Sequence, residues 1–86
     1  MQIYMVYGIT DCPACLRACA TLMEANLEYV FVETDFAPSY RAQLKKQYRR
    51  STFPIIVRRN NDALELETLE TLIIGGYTDL EVHLKK

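Results

Sequence analysis

The chain predicts an α/β fold: a four-stranded mixed sheet flanked by three helices, in the order β-α-β-α-β-β-α. Three observations carry this. Strand-like runs rich in apolar, β-branched and aromatic residues recur at 2–7, 28–33 and 54–58. Helix-like stretches with a proline near their first turn separate them, at 13–25 and 37–48. Gly75-Gly76 then punctuates the chain before a short final helix from Tyr77, where Thr78 and Glu81 have capping-box spacing.

Each element has a local reason. Ile3-Tyr4-Met5-Val6-Tyr7 is a continuous apolar run, as a buried strand requires. Pro13 suits the first helical turn, because its missing N–H would have no intrahelical partner. The periodicity of this helix puts Leu16, Cys19, Ala20, Leu22 and Met23 on or near its buried side, and Asn26 stops it. Glu28 to Glu33 is the second strand, and the first β-α-β unit predicts parallel pairing with a right-handed crossover. The helix from Ala37 to Tyr48 is amphipathic and basic. Asn60-Asn61-Asp62 is a turn after the third strand. The segment 63–74 alternates like a strand at Leu64 and Leu66, yet Leu66, Leu69 and Leu72 also fit one helix face. A strand is favoured because residues 55–58 need a hairpin partner.

Composition bounds the function. At 86 residues, one domain spanning 1–86 is expected, with a limited core. Half the residues are hydrophobic, which argues against intrinsic disorder, and a net charge of −1 predicts no nucleic-acid or membrane partner. Three cysteines are too few, and odd in number, for a secreted disulfide scaffold. No apolar run reaches membrane-spanning length and no signal-peptide pattern opens the chain. A reducing, cytoplasmic setting and a monomer are expected.

The chemistry is concentrated in Cys12-Pro13-Ala14-Cys15, at a strand-to-helix junction. One thiolate can attack a disulfide, and a second thiol two residues on can resolve the resulting mixed disulfide. Cys12 is the expected nucleophile: at a helix N-terminus, unpaired N–H groups and the helix dipole favour a thiolate. Asp11 opposes this and Arg17 offsets it in part. Cys15, one turn deeper, is the expected resolving thiol. Cys19 reads as a small core residue. A zinc site would have to recruit Cys19 or the distant His83, and is the weaker alternative.

Two further motifs follow in order: Thr52-Phe53-Pro54 and Gly75-Gly76-Tyr77-Thr78-Asp79-Leu80. Together with Cys12-Pro13-Ala14-Cys15, they make the chain resemble the glutaredoxins, dithiol members of the thioredoxin-fold superfamily, over nearly its whole length. The family's corresponding patterns are Cys-Pro-Tyr-Cys, Thr-Val-Pro and Gly-Gly-Cys-Ser/Asp-Asp-Leu.

The resemblance implies a glutathione-dependent thiol–disulfide oxidoreductase that reduces protein disulfides and glutathione mixed disulfides through Cys12 and Cys15. Glutathione is the implied co-substrate, and no metal is expected. It also implies a cis Pro54, which sets the backbone of Phe53 beside Cys12 to pair with an extended cysteinyl substrate. The residues alone leave an ordinary strand-opening proline equally open. Gly76, Tyr77, Thr78 and Asp79 would hold the γ-glutamyl end of glutathione, with Asp79 on its ammonium. Arg41 would face its glycine carboxylate. Ribonucleotide reductase is one protein substrate implied by the resemblance.

The chain departs from the family pattern in four places. Ala14 removes a ring that borders the glutathione site, and Ile9 removes a lysine that pairs with a glutathione carboxylate. Phe53 is bulkier than the usual valine, and residues 60–73 are longer than the usual turn. These departures keep open a donor reduced by thioredoxin reductase. A glutathione-ligated iron–sulfur carrier is the other alternative; Pro13 disfavours it, because cluster-binding members usually carry a small flexible residue there.

Overall fold

The computed structural model describes residues 2–60 and 71–85. Among the described residues, seven elements follow in chain order: β1 (Gln2–Gly8), α1 (Pro13–Glu24), β2 (Tyr29–Glu33), α2 (Pro38–Tyr48), β3 (Ile55–Asn60), β4 (Thr71–Gly75) and α3 (Tyr77–Leu84). They form one sheet in the order β2-β1-β3-β4. β1 pairs with β2 in parallel, Met5 opposite Val30, and with β3 antiparallel, Met5 opposite Val57. β3 and β4 are antiparallel, with an irregularity between Ile56 and Val57. The predicted order and mixed sheet therefore stand. Of the ambiguous segment, 71–74 is strand, as favoured; the remainder of it, 63–70, and Asn61-Asp62 of the expected turn lie outside the described residues.

Alternation along the strands sorts the side chains into two cores. Tyr4 and Val6 of β1 and Ile56 of β3 pack with Ala18 and Leu22 of α1 and Leu80 of α3. Tyr7 of β1 and Ile55 and Val57 of β3 pack with Leu44 and Tyr48 of α2 on the other face. Most of β1 and the first half of β3, Ile55–Val57, are apolar because both their faces are covered there.

Several sequence expectations need correction. Leu16 and Met23 are 57% and 62% exposed; Ala18 and Cys15 take the buried side of α1, with Leu22. The stripe set by Cys15, Ala18 and Leu22 has three- and four-residue steps, and Leu16 and Met23 fall one residue outside it. The cap of α3 is Gly76, with the Asp79 carboxylate accepting from the Gly76 N–H at 2.8 Å. Thr78 and Glu81 sit inside the helix instead of closing its end. Arg59, read as part of a solvated basic pair, is half-buried and donates to the Tyr7 hydroxyl at 3.1 Å. Burial is also the main cause that pushes the Tyr7 phenol up to about 12.

Candidate active site

β1 ends at Gly8, and four residues later Cys12 opens α1 as its N-cap. Its backbone is extended (φ −146°, ψ 96°), which turns the side chain back over the first helical turn. There the Cys15 N–H donates to the Cys12 Sγ at 3.2 Å. A sulfur in this position accepts one of the N–H groups that the helix start leaves open, and the dipole favours negative charge on it. Cys12 is partly exposed, whereas Cys15 is fully buried. Burial, reinforced by its hydrogen bond with Cys12, pushes the Cys15 thiol up to about 12. The pair is a divided dithiol, one sulfur accessible and the other held neutral. Cys19, half-buried, packs against the α1 core with its thiol pushed up by burial, consistent with a packing role.

Cys15 has room only because residue 8 is glycine. A Cβ on Gly8 would lie 2.5 Å from the Cys15 Sγ and 3.1 Å from Phe31 Cε1. The loop between Gly8 and Cys12 is tied to the end of β2. The Gly8 carbonyl accepts from both the N–H and the hydroxyl of Thr34, each at 2.9 Å, and Thr34 is fully buried. Two residues further on, the Asp35 carboxylate accepts from the Thr10 N–H at 3.0 Å and from its hydroxyl at 2.8 Å. The Thr10 hydroxyl is the main cause that lowers the Asp35 carboxyl, with Arg41 adding a smaller electrostatic contribution. The sign follows: the tie holds at neutral pH and is lost as acid protonates Asp35, below the ordinary aspartate value of about 3.9. An amide chemical-shift titration should show Thr10 moving in that acid range, and Asp35→Asn should abolish the transition. A Thr10 shift that persists in Asp35→Asn would assign it to another group.

Beyond Ala14, two residues past Cys12, a cleft of about 510 Å³ opens. Its walls are Ala14 and Arg17 of α1, Arg50 and Thr52-Phe53-Pro54 before β3, and Gly76 to Asp79 at the start of α3. The Phe53–Pro54 peptide is cis. The structure thus brings Phe53, Pro54, Gly76, Tyr77, Thr78 and Asp79 around one concavity, at the N-terminal ends of two helices. Arg41 is not among its walls; it lies toward Asp35, with its buried Nε lacking a hydrogen-bond partner among the described residues.

Arg50, Arg17 and Thr52 join the site instead. Arg50 Nη2 stands 3.2 Å from Asp79 Oδ2, an ion pair exposed enough to contribute only about 0.2–1 kcal/mol. Arg49 ends α2 in left-handed backbone (φ 55°), and the chain leaves the helix there with Arg50 next in line. In sequence Arg50 resembled any solvated cation; its place two residues before Thr52-Phe53-Pro54 was the only available signal. His83, read as a surface or helix-end residue, lies in the last turn of α3, where its Nε2 meets the Tyr4 hydroxyl at 3.1 Å.

Gly75 and Asp79 are coupled. Gly75 has φ +119°, and a Cβ there would run into the Asp79 carboxylate, with Cγ only 2.8 Å away. Only glycine fits that turn on both counts. Among the described residues, no group of three or more His, Cys, Asp or Glu is placed to hold a metal ion, and no helix is long and apolar enough to cross a membrane.

The geometry has counterparts among known proteins. The glutaredoxin family model matches residues 3–61. The solution structure of glutaredoxin from Brucella melitensis superposes with a TM-score of 0.68 at 26% identity, over 95% of this chain and 77% of that one. The crystal structure of glutaredoxin 1 from Francisella tularensis, complexed with cacodylate, gives 0.64 at 19% identity, over 99% and 94% of the two chains. No match was found among curated protein sequences. A capping thiol with a buried partner, on a thioredoxin-like α/β sheet whose sequence fits the family model, makes this chain a member of the glutaredoxin family and a thiol–disulfide oxidoreductase.

Proposed function

We propose that the protein is a glutathione-dependent oxidoreductase acting on glutathionylated and disulfide-bonded proteins. The observation that carries this is the cleft beside the Cys12 helix, which combines two guanidinium groups, one carboxylate and the start of α3. Glutathione offers two carboxylates, one ammonium and a central thiol, and these groups match. Asp79 takes the ammonium, the open N–H groups of α3 favour the adjacent carboxylate, and Arg50 with Arg17 meets the negative charge that remains. The carboxylate contact expected of Arg41 falls first to these two residues, because they line the cleft. Phe53, Pro54, Gly76, Tyr77 and Thr78 supply the walls.

The exchange balances as follows. The Cys12 thiolate attacks the glutathione sulfur of a mixed disulfide; the Cys12–glutathione bond forms, and the protein thiolate leaves and takes a proton. A second glutathione thiolate attacks the same glutathione sulfur, releasing glutathione disulfide and restoring the Cys12 thiolate. With a protein disulfide, Cys12 forms a mixed disulfide with the protein. The first protein thiolate leaves and takes a proton as that bond forms. Cys15 then loses its proton and attacks the Cys12 sulfur, expelling the second protein thiolate and leaving an internal Cys12–Cys15 disulfide, which two glutathione molecules reduce to the dithiol as they leave joined as glutathione disulfide. The family's range of potentials, roughly −200 to −230 mV, suits this cycle. We place it in the cytoplasm, as a monomer, with ribonucleotide reductase among its substrates by analogy.

Turnover of a small glutathionylated disulfide, coupled to glutathione reductase, tests the proposal. Asp79→Asn should raise KM for the glutathionylated substrate about tenfold with kcat little changed, because a charge-assisted contact is worth about 1.5–3 kcal/mol and the asparagine retains part of it. Absence of wild-type turnover with glutathione, alongside reduction by thioredoxin reductase, would overturn the glutathione assignment.

A further inference from the structure

Positive charge in this chain is segregated. Seven of the ten Lys and Arg lie between Phe36 and Asn60, with no Asp or Glu in that interval, although the net charge of the whole is −1. The fold gathers much of this charge beside the cleft. Lys45 and Lys46 occupy the last turn of α2, Arg49 follows at its C-cap, and Arg50 reaches the cleft wall. The Lys45 Nζ stands 5.2 Å from the centroid of the Phe53 ring, and that ring belongs to the cleft. Arg17 comes in from α1. From α2 across Phe53 to the cleft the charged side chains are Lys45, Lys46, Arg49, Arg50 and Arg17, and Asp79 is the acidic residue among the cleft walls.

Some of these charges have local partners. Lys45 and Lys46 favour the carboxyl end of α2, and Arg50 pairs with Asp79. Lys46 and Arg49 are exposed and have no ion-pair partner among the described residues.

We infer that the face formed by the end of α2 and Phe53 docks acidic polypeptide segments, so that the preferred protein substrates carry their reactive disulfide within a run of Asp and Glu. This rests on the exchange proposed above. An extended substrate pairing with the Phe53 backbone would run its flanking residues past Lys45, Lys46 and Arg49. The screening length is about 10 Å at about 0.1 M ionic strength and about 30 Å at about 0.01 M, longer than the 5.2 Å from the Lys45 Nζ to the Phe53 ring, and a cationic funnel beside a reactive group raises encounter rates. A short acidic segment meets only this patch. A nucleic acid strand is a longer polyanion and would also meet the acidic remainder of the chain, so a polypeptide is the better fit.

The test compares two peptides, each with one glutathionylated cysteine, flanked in one by glutamates and in the other by glutamines. At about 20 mM salt kcat/KM should favour the acidic peptide about tenfold, and at about 300 mM salt the preference should shrink to about twofold. Lys46→Glu should lower kcat/KM for the acidic peptide about fivefold, and Lys46→Gln by less, both leaving the glutamine peptide and a small glutathionylated disulfide unchanged. Lys85→Glu makes the same change of net charge at the far end of α3 and should leave all three substrates unchanged. Equal losses in Lys46→Glu and Lys85→Glu, or no preference between the peptides, would overturn the docking surface. So would inhibition by a single-stranded oligonucleotide at lower concentration than by free polyglutamate of equal charge, which would favour nucleic acid. Loss of small-disulfide turnover in the wild type would instead refute the exchange reading itself.

Discussion

Cys12→Ser lowers turnover of a small glutathionylated disulfide by roughly three orders of magnitude or more, as removal of a covalent nucleophile does, while Cys15→Ser keeps most of it. The asymmetry follows from the two environments. Cys12 is accessible and accepts a helix-start N–H, whereas Cys15 is fully buried and its thiol is pushed up to about 12. Burial disfavours its charged form, so the resolving thiolate is a minor species at neutral pH. Free glutathione therefore outruns Cys15 wherever it can reach the mixed disulfide. Cys15 becomes necessary only where a bulky protein partner shields that sulfur. Stopped-flow reduction of a protein disulfide should be slow, should accelerate with pH, and should vanish in Cys15→Ser. Equal loss of small-disulfide turnover in both single variants would overturn this division of labour.

Gly8→Ala should destabilise the fold by about 2–3 kcal/mol, a large effect for one methyl group. The added Cβ would lie 2.5 Å from the Cys15 Sγ, in a place where β1, β2 and α1 leave no slack. Combining it with Cys15→Ala removes the sulfur and should restore part of the stability, so the two changes will not add. Relief stays partial, because the Cys15 Cβ and Phe31 Cε1 would each remain 3.1 Å from the new methyl. Urea unfolding of the four variants measures this coupling. Additive effects would place the strain elsewhere, in the Thr34 clamp on the Gly8 carbonyl.

What the sequence disclosed was governed by local chemistry. The strands at 2–8, 29–33 and 55–60 announce themselves through β-branched and aromatic runs, and both longer helices through a proline in their first turn. The three motifs placed Cys12, Pro54 and Asp79 in order, which was sufficient for the family. Long-range pairing was not legible. Nothing near Asp35 announces a bond to Thr10, and nothing near Arg50 announces Asp79, because contacts across 25 and 29 residues depend on how the elements dock. The exposed side of α1 was misjudged for a related reason. Leu16 and Met23 are as apolar as Leu22, and only the position of the sheet shows which stripe it covers. The α3 cap was misplaced because Asp79 reaches back to a glycine, a residue without the hydroxyl or carboxylate that a capping pattern looks for.

The Asp79 carboxylate closes the start of α3 through the Gly76 N–H, holds Arg50, and occupies the space that a side chain on residue 75 would need. These roles link the histories of the positions. A lineage that lost the carboxylate at 79 would free residue 75 from one of its two reasons to be glycine, and would leave the cation at 50 without its counterion. Drift at any one of the three sites changes which substitutions are tolerated at the other two. Positions 50, 75 and 79, scattered along the chain, should therefore vary together as a single heritable unit.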